Sequence, residues 1–295
     1  MVQANFRKKI DFSELPNDWR VARVAVDWNG GPLVLIEEGK PPRPPREAGI
    51  DSIVAWRNTP PKARHLIFED GPFRRAVTFE GSTTLTAFHV QPFEGGWLLG
   101  ETRGGTGVYD EKGKLQRVLD LGDASNDIQT TPTGHIWVSY FDEGVFGSGI
   151  GQHGLVCFDR EGKPLFKYSE FAEKNNLPFV DDCYALNVVD EDEVWLSYYT
   201  DFPLVLIKNF RLQRVWKDFG CMARGFALWR DYVLFQKCYT RPSQLLRRGL
   251  SDSPQAEPIE AIDEDGTLIG GDFVTAGRGA HFYLQGEAAL YELTI

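Results

Sequence analysis

The sequence predicts an all-β fold built from a repeated unit of four short antiparallel strands. The clearest copy lies between Asn126 and Ser169, where the runs DIQTT, HIWVSY, GLVCFD and PLFKYS are joined mostly by tight turns. Weaker copies fill the rest of the chain, and their second strands are centred at intervals of 62, 40, 58, 39 and 49 residues. Four strands per unit at this spacing are typical of a β-propeller, and six such units fit the 295 residues.

Each unit of such a fold buries its faces only against its neighbours, so we expect one domain spanning residues 1–295. The blades are expected at 19–71, 82–122, 126–169, 181–219, 222–263 and 270–295. In blade one, SIVAWRN and ARHLIFE are predicted as the third and fourth strands. Before blade four, SEFAEKNN is predicted as a short helix capped by Ser169.

The sixth unit has three strands, GGDFVTAG, GAHFYLQG and AALYELTI, and lacks a fourth. The segment NFRKKIDFS has no blade of its own and alternates as an edge strand does. We therefore expect residues 5–13 to supply the outer strand of blade six, which would close the ring and remove an exposed edge. The alternative is a disordered amino-terminal tail.

Charge is distributed unevenly along the chain, whose net charge is −10. Between Asp120 and Phe202 there are sixteen acidic and four basic residues, a local charge of −12. Such an acidic middle argues against non-specific nucleic-acid binding, which requires a basic surface. It permits a cation or a basic partner, although solvated surface charges are the simpler interpretation.

The amino terminus has charges where a signal peptide needs an apolar core, and no run of 18 apolar residues indicates a membrane span. The four cysteines, Cys157, Cys183, Cys221 and Cys238, form no CxxC motif. Three of them (Cys157, Cys183 and Cys238) lie within predicted strands, so buried free thiols are the simpler interpretation. These features predict a cytoplasmic protein without membrane contact, unless a leader has been removed.

The stretch DIQTTPTGHIWVSYFDEG…GLVCFD resembles the blade repeat of two-component-regulator and NHL-type propellers. The run SYYTDFPLVLI, residues 197–207, is similar to a YWTD-type strand pair. This resemblance implies a propeller and not one activity, because such folds carry hydrolases, lyases, sensors and adaptors. Regucalcin-like lactonases also have six blades and a central divalent metal, but no motif here assigns their ligands.

In a propeller, the beginnings of the first strands and the loops between second and third strands meet at one face. Long loops on a rigid scaffold are where binding usually resides. Candidates at the first strands are Arg20, His89, Asn126, Asp127, Asp181, Asp182, Arg224 and Asp272. Candidates in the loops are Glu37, Glu101, Arg103, Asp142, Glu143, Asp201 and Tyr239.

Carboxylates that share one channel repel one another unless a cation or arginine neutralises them. Asp127, Asp182 and Asp272, with Glu37 or Glu101, could form an oxygen-rich site for Ca²⁺ or Mg²⁺. The preferred alternative is that Arg20 and Arg224 pair with these acids. The histidines show no HxH or HExxH spacing, so zinc is not expected.

Three functions are compatible with these patterns. The first is a non-enzymatic module that binds a protein or small ligand, basic or cationic, at its loop face. The second is a metal-dependent lactonase, in which one of Asp127, Asp182 or Asp272 acts as general base. The third is the sensor component of a signalling system.

Overall fold

The computed structural model describes residues 2–41, 44–57, 59–70, 73–80, 87–101, 105–251 and 255–293. Over these ranges the chain is all-β. The strands are β1 (Val2–Asp11), β2 (Trp19–Val26), β3 (Pro32–Glu38), β4 (Ala63–Asp70), β5 (Phe73–Phe79), β6 (Ala87–Phe93), β7 (Gly96–Glu101), β8 (Thr106–Tyr109), β9 (Leu115–Leu119), β10 (Ser125–Thr130), β11 (Ile136–Tyr140), β12 (Leu155–Phe158), β13 (Pro164–Lys167), β14 (Asp182–Val188), β15 (Glu193–Tyr199), β16 (Leu204–Lys208), β17 (Arg211–Trp216), β18 (Met222–Trp229), β19 (Tyr232–Lys237), β20 (Leu245–Gly249), β21 (Glu257–Ile262), β22 (Val274–Arg278), β23 (His281–Gln285) and β24 (Ala289–Leu293).

Helices are few and short. The α-helices are α1 (Ile50–Arg57), α2 (Asp142–Val145) and α3 (Tyr168–Lys174). Three single turns of 3-10 helix lie at Phe12–Glu14, Arg46–Ala48 and Ile150–His153. Among the described residues, no helix is long and apolar enough to cross a membrane.

The strands form four-stranded antiparallel sheets, as the sequence predicts. Strands β2–β5, β6–β9, β10–β13 and β14–β17 each make one such sheet in sequence order. The other strands make an eight-stranded sheet in the order β18-β19-β20-β21-β1-β24-β23-β22. The hydrophobic core is divided into clusters that lie between successive four-stranded units, and this layering is that of a β-propeller.

Strand β1 joins two parts of the eight-stranded sheet. Its residues Phe6–Asp11 pair antiparallel with β24, which is the pairing predicted for residues 5–13. Its first residues, Val2–Asn5, pair parallel with β21, which the sequence did not indicate. Phe6 is fully buried and its ring lies 6.5 Å from that of Phe282, so this segment is part of the core.

The first strand of each unit is innermost and surrounds a central channel. Contacts run from β2 to β6, β10, β14, β18 and β22, and from β22 back to β2. Amide side chains connect these strands: Gln129 donates to the carbonyl of Leu186 at 3.0 Å, and Asn187 donates to that of Phe226 at 2.7 Å. Such cross-strand bonds satisfy buried amides and fix the spacing of the inner strands.

Five of the inner strands carry an irregularity near their first residues. The register shifts between Val21 and Arg23, Ala87 and His89, Ser125 and Asp127, Asp182 and Ala185, and Met222 and Phe226. A β-bulge interrupts the strict alternation of side chains and redirects those that lie within it. The residues of these bulges therefore do not follow a simple inward-outward alternation.

The predicted strand SIVAWRN in blade one is wrong, because residues 52–57 belong to α1 (Ile50–Arg57). Ile50, Ile53 and Val54 have the spacing of a helical face rather than of a strand. As a result, the predicted fourth strand ARHLIFE is the third, β4, and β5 (Phe73–Phe79) is the fourth. The predicted helix before blade four forms as α3, but Ser169 does not cap it and instead bonds His153 at 2.6 Å.

Candidate functional site

The face that carries the beginnings of the inner strands also carries the most elaborate loops. The loop between β11 and β12 contains α2 and the turn Ile150–His153, and the loop between β3 and β4 contains α1. From the strand pattern, the sequence predicts the longest loops of this face at 37–50 and 141–153, and both ranges overlap the loops found here. Two sets of side chains stand out here, one on the surface and one inside the channel.

The surface set begins with carboxylates that have no counter-ion. Asp142 and Glu143 are exposed at the start of α2, Asp201 is exposed after β15, and Asp182 is partly buried at the start of β14. In the described part of the chain, no Lys or Arg forms an ion pair with any of the four. Burial, followed by the charges of Asp142 and Glu143, raises the pKa of Asp182 from 3.8 to about 7.

The environment of Asp182 explains why the pKa of its carboxyl group is raised. Its Oδ1 atom is buried and has no hydrogen-bond partner among the described residues. A carboxylate that loses water without gaining a donor or a cation is disfavoured in its charged form. Near neutral pH, Asp182 is therefore divided between its protonated and its ionised form.

Aromatic side chains lie beside these acids. The rings of Tyr199, Phe202, Tyr184 and Tyr239 follow one another, with centroids 5.4, 5.8 and 6.3 Å apart. The hydroxyl oxygens of Tyr184 and Tyr239 are 2.6 Å apart, and Asp182 contributes to a raised pKa of Tyr184, whose main cause is burial. Tyr239 is 86% exposed, far more than an aromatic side chain on a stable protein surface usually is.

A second aromatic pair extends the same surface. The rings of Phe146 and Phe179 are 6.5 Å apart, and these side chains are 69% and 52% exposed. The backbone N–H of Asp181 donates to the carbonyl of Tyr199 at 2.7 Å, which brings this pair close to the row of four aromatic rings. We call this surface the acidic-aromatic face, and it consists of Asp142, Glu143, Phe146, Phe179, Asp182, Tyr184, Tyr199, Asp201, Phe202 and Tyr239.

Inside the channel, Asp127 has several partners. Arg23 donates to its Oδ1 at 3.1 Å, and Gln129 donates to its Oδ2 at 3.1 Å. Burial alone would raise the pKa of Asp127, but His89, Arg23 and Gln129 outweigh it and lower the pKa. Burial also lowers the pKa of His89, so the imidazole is neutral and the carboxylate ionised at pH 7.

Two more arginines face the channel. Arg278 is buried and donates to Gln91 Oε1 at 3.1 Å and to the carbonyl of Thr130 at 2.6 Å. Arg224 is exposed near the start of β18, and its side chain has no hydrogen-bond partner in the described part of the chain. The charge of Arg23 is the main cause that lowers the pKa of Arg224 to about 10. Both groups remain cationic at pH 7.

Three of the remaining predicted residues, Arg20, Glu37 and Asp272, form ion pairs or hydrogen bonds within the protein. Arg20 does not pair with a channel acid but donates to the carbonyl of Lys40 at 2.9 Å. Glu37 is buried in blade one, with Arg64 at 3.2 Å and Lys40 at 3.6 Å. Asp272 pairs with Arg241 at 3.0 Å. The side chain of Glu101, and all of Arg103, lie outside the described residues.

Among the described side chains, the three aspartates predicted as metal ligands have separate neighbours. Asp127 is bound by Arg23, Asp272 by Arg241, and Asp182 lies beside Asp142 and Glu143 on the surface. In the described ranges, no three His, Cys, Asp or Glu side chains are grouped so that they could hold a metal ion.

Sequence reasoning missed Arg23 and several aromatics of the acidic-aromatic face. Arg20 was predicted because it lies at the start of the first strand, whereas Arg23 lies further along β2, directly after the register shift at Val21. Phe146 and Phe179 lie in connecting segments, where no periodicity reveals exposure. The run SYYTDF was noted only for its blade resemblance, although adjacent Tyr198 and Tyr199 must point to opposite sides of a strand.

A disulfide lies next to this face and corrects one interpretation. Cys221 and Cys238 are bonded, with Cα atoms 5.4 Å apart, and they tie the start of β18 to the end of β19. The prediction of free thiols is thus wrong for these two, whereas Cys157 and Cys183 are free and buried. The bond directly precedes Tyr239 and anchors the loop that carries this ring.

These features define a β-propeller whose loop face is elaborated. The model of the YxzG family matches residues 155–293, just under half of the chain. No curated protein matches the sequence.

Solved structures share the fold at low sequence identity. A chain of the mitotic checkpoint complex is 9% identical, with a TM-score of 0.53 over 95% of this chain and 78% of that one. BamB from Moraxella catarrhalis is 11% identical, with a TM-score of 0.46 over 92% and 84%. YCF48 bound to a D1 peptide is 8% identical, with a TM-score of 0.49 over 95% and 80%. At this identity the likeness concerns the fold alone.

Proposed function

We propose that the protein is a non-enzymatic binding module that takes a basic segment of a partner protein on its acidic-aromatic face. The observation that carries this proposal is the carboxyl group of Asp182, whose pKa rises to about 7 beside Asp142 and Glu143. These acids lack counter-ions in the described part of the chain, and four exposed aromatic rings lie next to them.

A cationic side chain would resolve the repulsion among these carboxylates. Lys or Arg within a few ångströms of Asp142, Glu143 and Asp182 would favour the ionised form of Asp182 and balance the charges of its two neighbours. The same cation could lie over an aromatic ring, an interaction worth about 0.5–2 kcal/mol. Aromatic side chains also lose little conformational entropy on binding, which suits Tyr199 and Tyr239 to a contact surface.

The scaffold that we infer for this surface has six blades. Strands β2 to β21 would supply five of them, and β22–β24 with β1 would supply the sixth, closing the ring in one domain over residues 1–295. The pairing of β1 with β24 supports this reading. The cytoplasmic location expected from the sequence remains a prediction, and the Cys221–Cys238 bond weighs against it because disulfides persist mainly in oxidising compartments.

The proposal can be tested with two immobilised pools of short peptides that have randomised flanks. One pool has a fixed central arginine, and the matched pool has citrulline, which keeps the shape and removes the charge. We expect retention of the protein on the arginine pool only, and we expect it to decrease at ~0.3 M salt, where exposed charges are screened.

Variants locate the binding to the proposed surface. Asp142→Asn with Asp182→Asn should abolish the preference for arginine. Asp231→Asn, which removes an exposed carboxylate from the turn between β18 and β19, should leave the preference unchanged. Equal retention on both pools, or an arginine preference that survives the double substitution, would contradict the proposal.

A further inference from the structure

The disulfide bond lies where the hairpin of β18 and β19 reaches the acidic-aromatic face. Cys221 directly precedes β18, and Cys238 directly follows β19. Next to the bond, a single pair of residues is followed by a bulge, and the backbone ladder resumes only where Phe226 pairs with Phe235. The covalent bond therefore fastens the weakly paired end of this hairpin.

Tyr239 directly follows the bond and has a backbone conformation that it does not favour. Its φ is +55°, in the left-handed region, where the Cβ atom of an L-residue is crowded. Its side chain is 86% exposed, so packing contributes little to its position. The side chain reaches Tyr184, with the two hydroxyl oxygens 2.6 Å and the two ring centroids 6.3 Å apart. The place of Tyr239 in the acidic-aromatic face therefore depends on how firmly the backbone at Cys238 is held.

The second half of the same loop has anchors of its own. The backbone N–H of Ser243 donates to the carbonyl of Gly271 at 3.2 Å, and its hydroxyl donates to that of Phe273 at 3.1 Å. Both acceptors belong to the segment before β22, so these bonds do not depend on the disulfide. Opening the disulfide would therefore release the first half of the loop, at Tyr239, and leave the second half attached.

The bond is accessible from one side. Cys221 is partly exposed, whereas Cys238 is buried, and disulfides exposed to solvent are the ones that thiols reduce readily. The thiolate of a dithiol reductant would attack the sulfur of Cys221, and Cys238 would leave as a thiolate that takes a proton from water. The second thiol of the reductant would then displace Cys221 and form the reductant's own disulfide. The reductant thereby loses two electrons and two protons, which the two cysteines gain.

We propose that the Cys221–Cys238 bond is a redox switch of the acidic-aromatic face, which a dithiol reductant opens. In the oxidised protein, Tyr239 is held beside Tyr184, and a basic segment meets the complete row of aromatic rings. In the reduced protein, the backbone at Tyr239 is free to leave the left-handed region, and the ring leaves the face. This inference rests on the proposed function, because it concerns the regulation of the same surface.

The test measures retention of the whole protein on the arginine and citrulline peptide pools, made without cysteine, before and after treatment with dithiothreitol. Reduction should weaken retention on the arginine pool about tenfold, as expected for the loss of one central aromatic contact, and reoxidation should restore it. In Tyr239→Ala, reduction should have no further effect, because both changes remove the same contact. Cys221→Ser with Cys238→Ser should bind as the reduced protein does and should not respond to the reductant.

An amide NMR spectrum distinguishes a local switch from unfolding. Reduction should shift the resonances of residues 221–225 and 238–240 and leave those of β7 and β11, in other blades, unchanged. Loss of the dispersed spectrum as a whole would overturn the proposal, because the bond would then hold the entire fold rather than one loop.

The binding data distinguish this inference from the proposed function. Equal retention of the oxidised and the reduced protein on the arginine pool would overturn the switch and leave the proposed function standing. A redox effect that persists in Tyr239→Ala would also overturn it, since Tyr239 would not be the group that is released. Absence of an arginine preference in both states would overturn the proposed function and the switch together.

Discussion

Replacing Asp182 by asparagine should stabilise the protein at neutral and alkaline pH while impairing its proposed binding function. In the folded protein the pKa of this carboxyl group is about 7, compared with an ordinary value of 3.8. Between these two values the folded state holds a proton that the unfolded chain has already lost. The free energy of unfolding therefore decreases as the pH rises through this range, and above about pH 7 the whole penalty applies.

The magnitude follows from the size of this shift. At ~1.4 kcal/mol per pH unit, the difference between 3.8 and about 7 sets an upper limit of about 4 kcal/mol. Asp182 is only partly buried, so solvent and salt reduce the penalty to about 1–2 kcal/mol. Asparagine keeps the shape of the side chain and cannot ionise, and Asp182→Asn should recover this amount.

The assay is urea unfolding of the original protein and Asp182→Asn at about pH 4 and about pH 8. The two proteins should have similar stability at the lower pH, and the variant should be more stable at the higher pH. Asp231→Asn, at an exposed turn, should show no such divergence. A variant that is less stable than the original protein at about pH 8 would refute the reasoning, because Asp182 would then have a stabilising partner.

Three further predictions concern other parts of the molecule. Reduction of the Cys221–Cys238 bond, which spans 17 residues, should lower the free energy of unfolding by about 3 kcal/mol, as measured by urea unfolding with and without reductant. Tyr239→Ala should weaken retention on the arginine peptide pool about tenfold, whereas Tyr239→Phe should keep most of it, since the ring supplies the contact. Phe6→Ala should lower the free energy of unfolding by about 3–5 kcal/mol, as measured by chemical unfolding, because the ring is fully buried beside Phe282 of β23.

Each of these has an outcome that would contradict it. A Cys221→Ser, Cys238→Ser variant that responds to reductant as the original protein does would show that the effect has another source. Equal loss of retention in both Tyr239 variants would assign the contact to the hydroxyl group. A cost below about 1 kcal/mol for Phe6→Ala would mean that β1 is only loosely attached.

The blade architecture could be predicted because its strongest signals are local. Trp97, Trp137 and Trp195 each lie in a run of β-branched and apolar residues between turn residues, and each occupies the second strand of a blade. Such strands are buried on both faces, so composition alone reveals them. The helix α1 was missed because a short apolar run such as SIVAWR fits a strand or a helix equally well.

The candidate site could be predicted only in outline. The location of the loop face follows from propeller topology, and three of the residues predicted for it, Asp142, Asp182 and Tyr239, are among those of the acidic-aromatic face. The distribution of partners does not follow from topology, because the pairing of Asp127 with Arg23 depends on a bulge in β2. The direction of each side chain therefore decides which carboxylates are paired with an arginine. This direction can be predicted from a sequence only where inward-facing and outward-facing residues alternate regularly.

The repeated bulges give the channel a property that the blades themselves lack. Asn126, Tyr184 and Arg224 each lie in the interrupted part of an inner strand, where the backbone ladder gives them no paired residue on the second strand of the same blade. The side chains at these positions have different roles: the amide of Asn126 donates to the carbonyls of Cys183 and Tyr184 in the next blade, whereas the hydroxyl of Tyr184 bonds that of Tyr239. Corresponding bulge positions in successive blades can therefore carry different side chains. One scaffold can be adapted to different ligands by substituting one residue at this position in each blade.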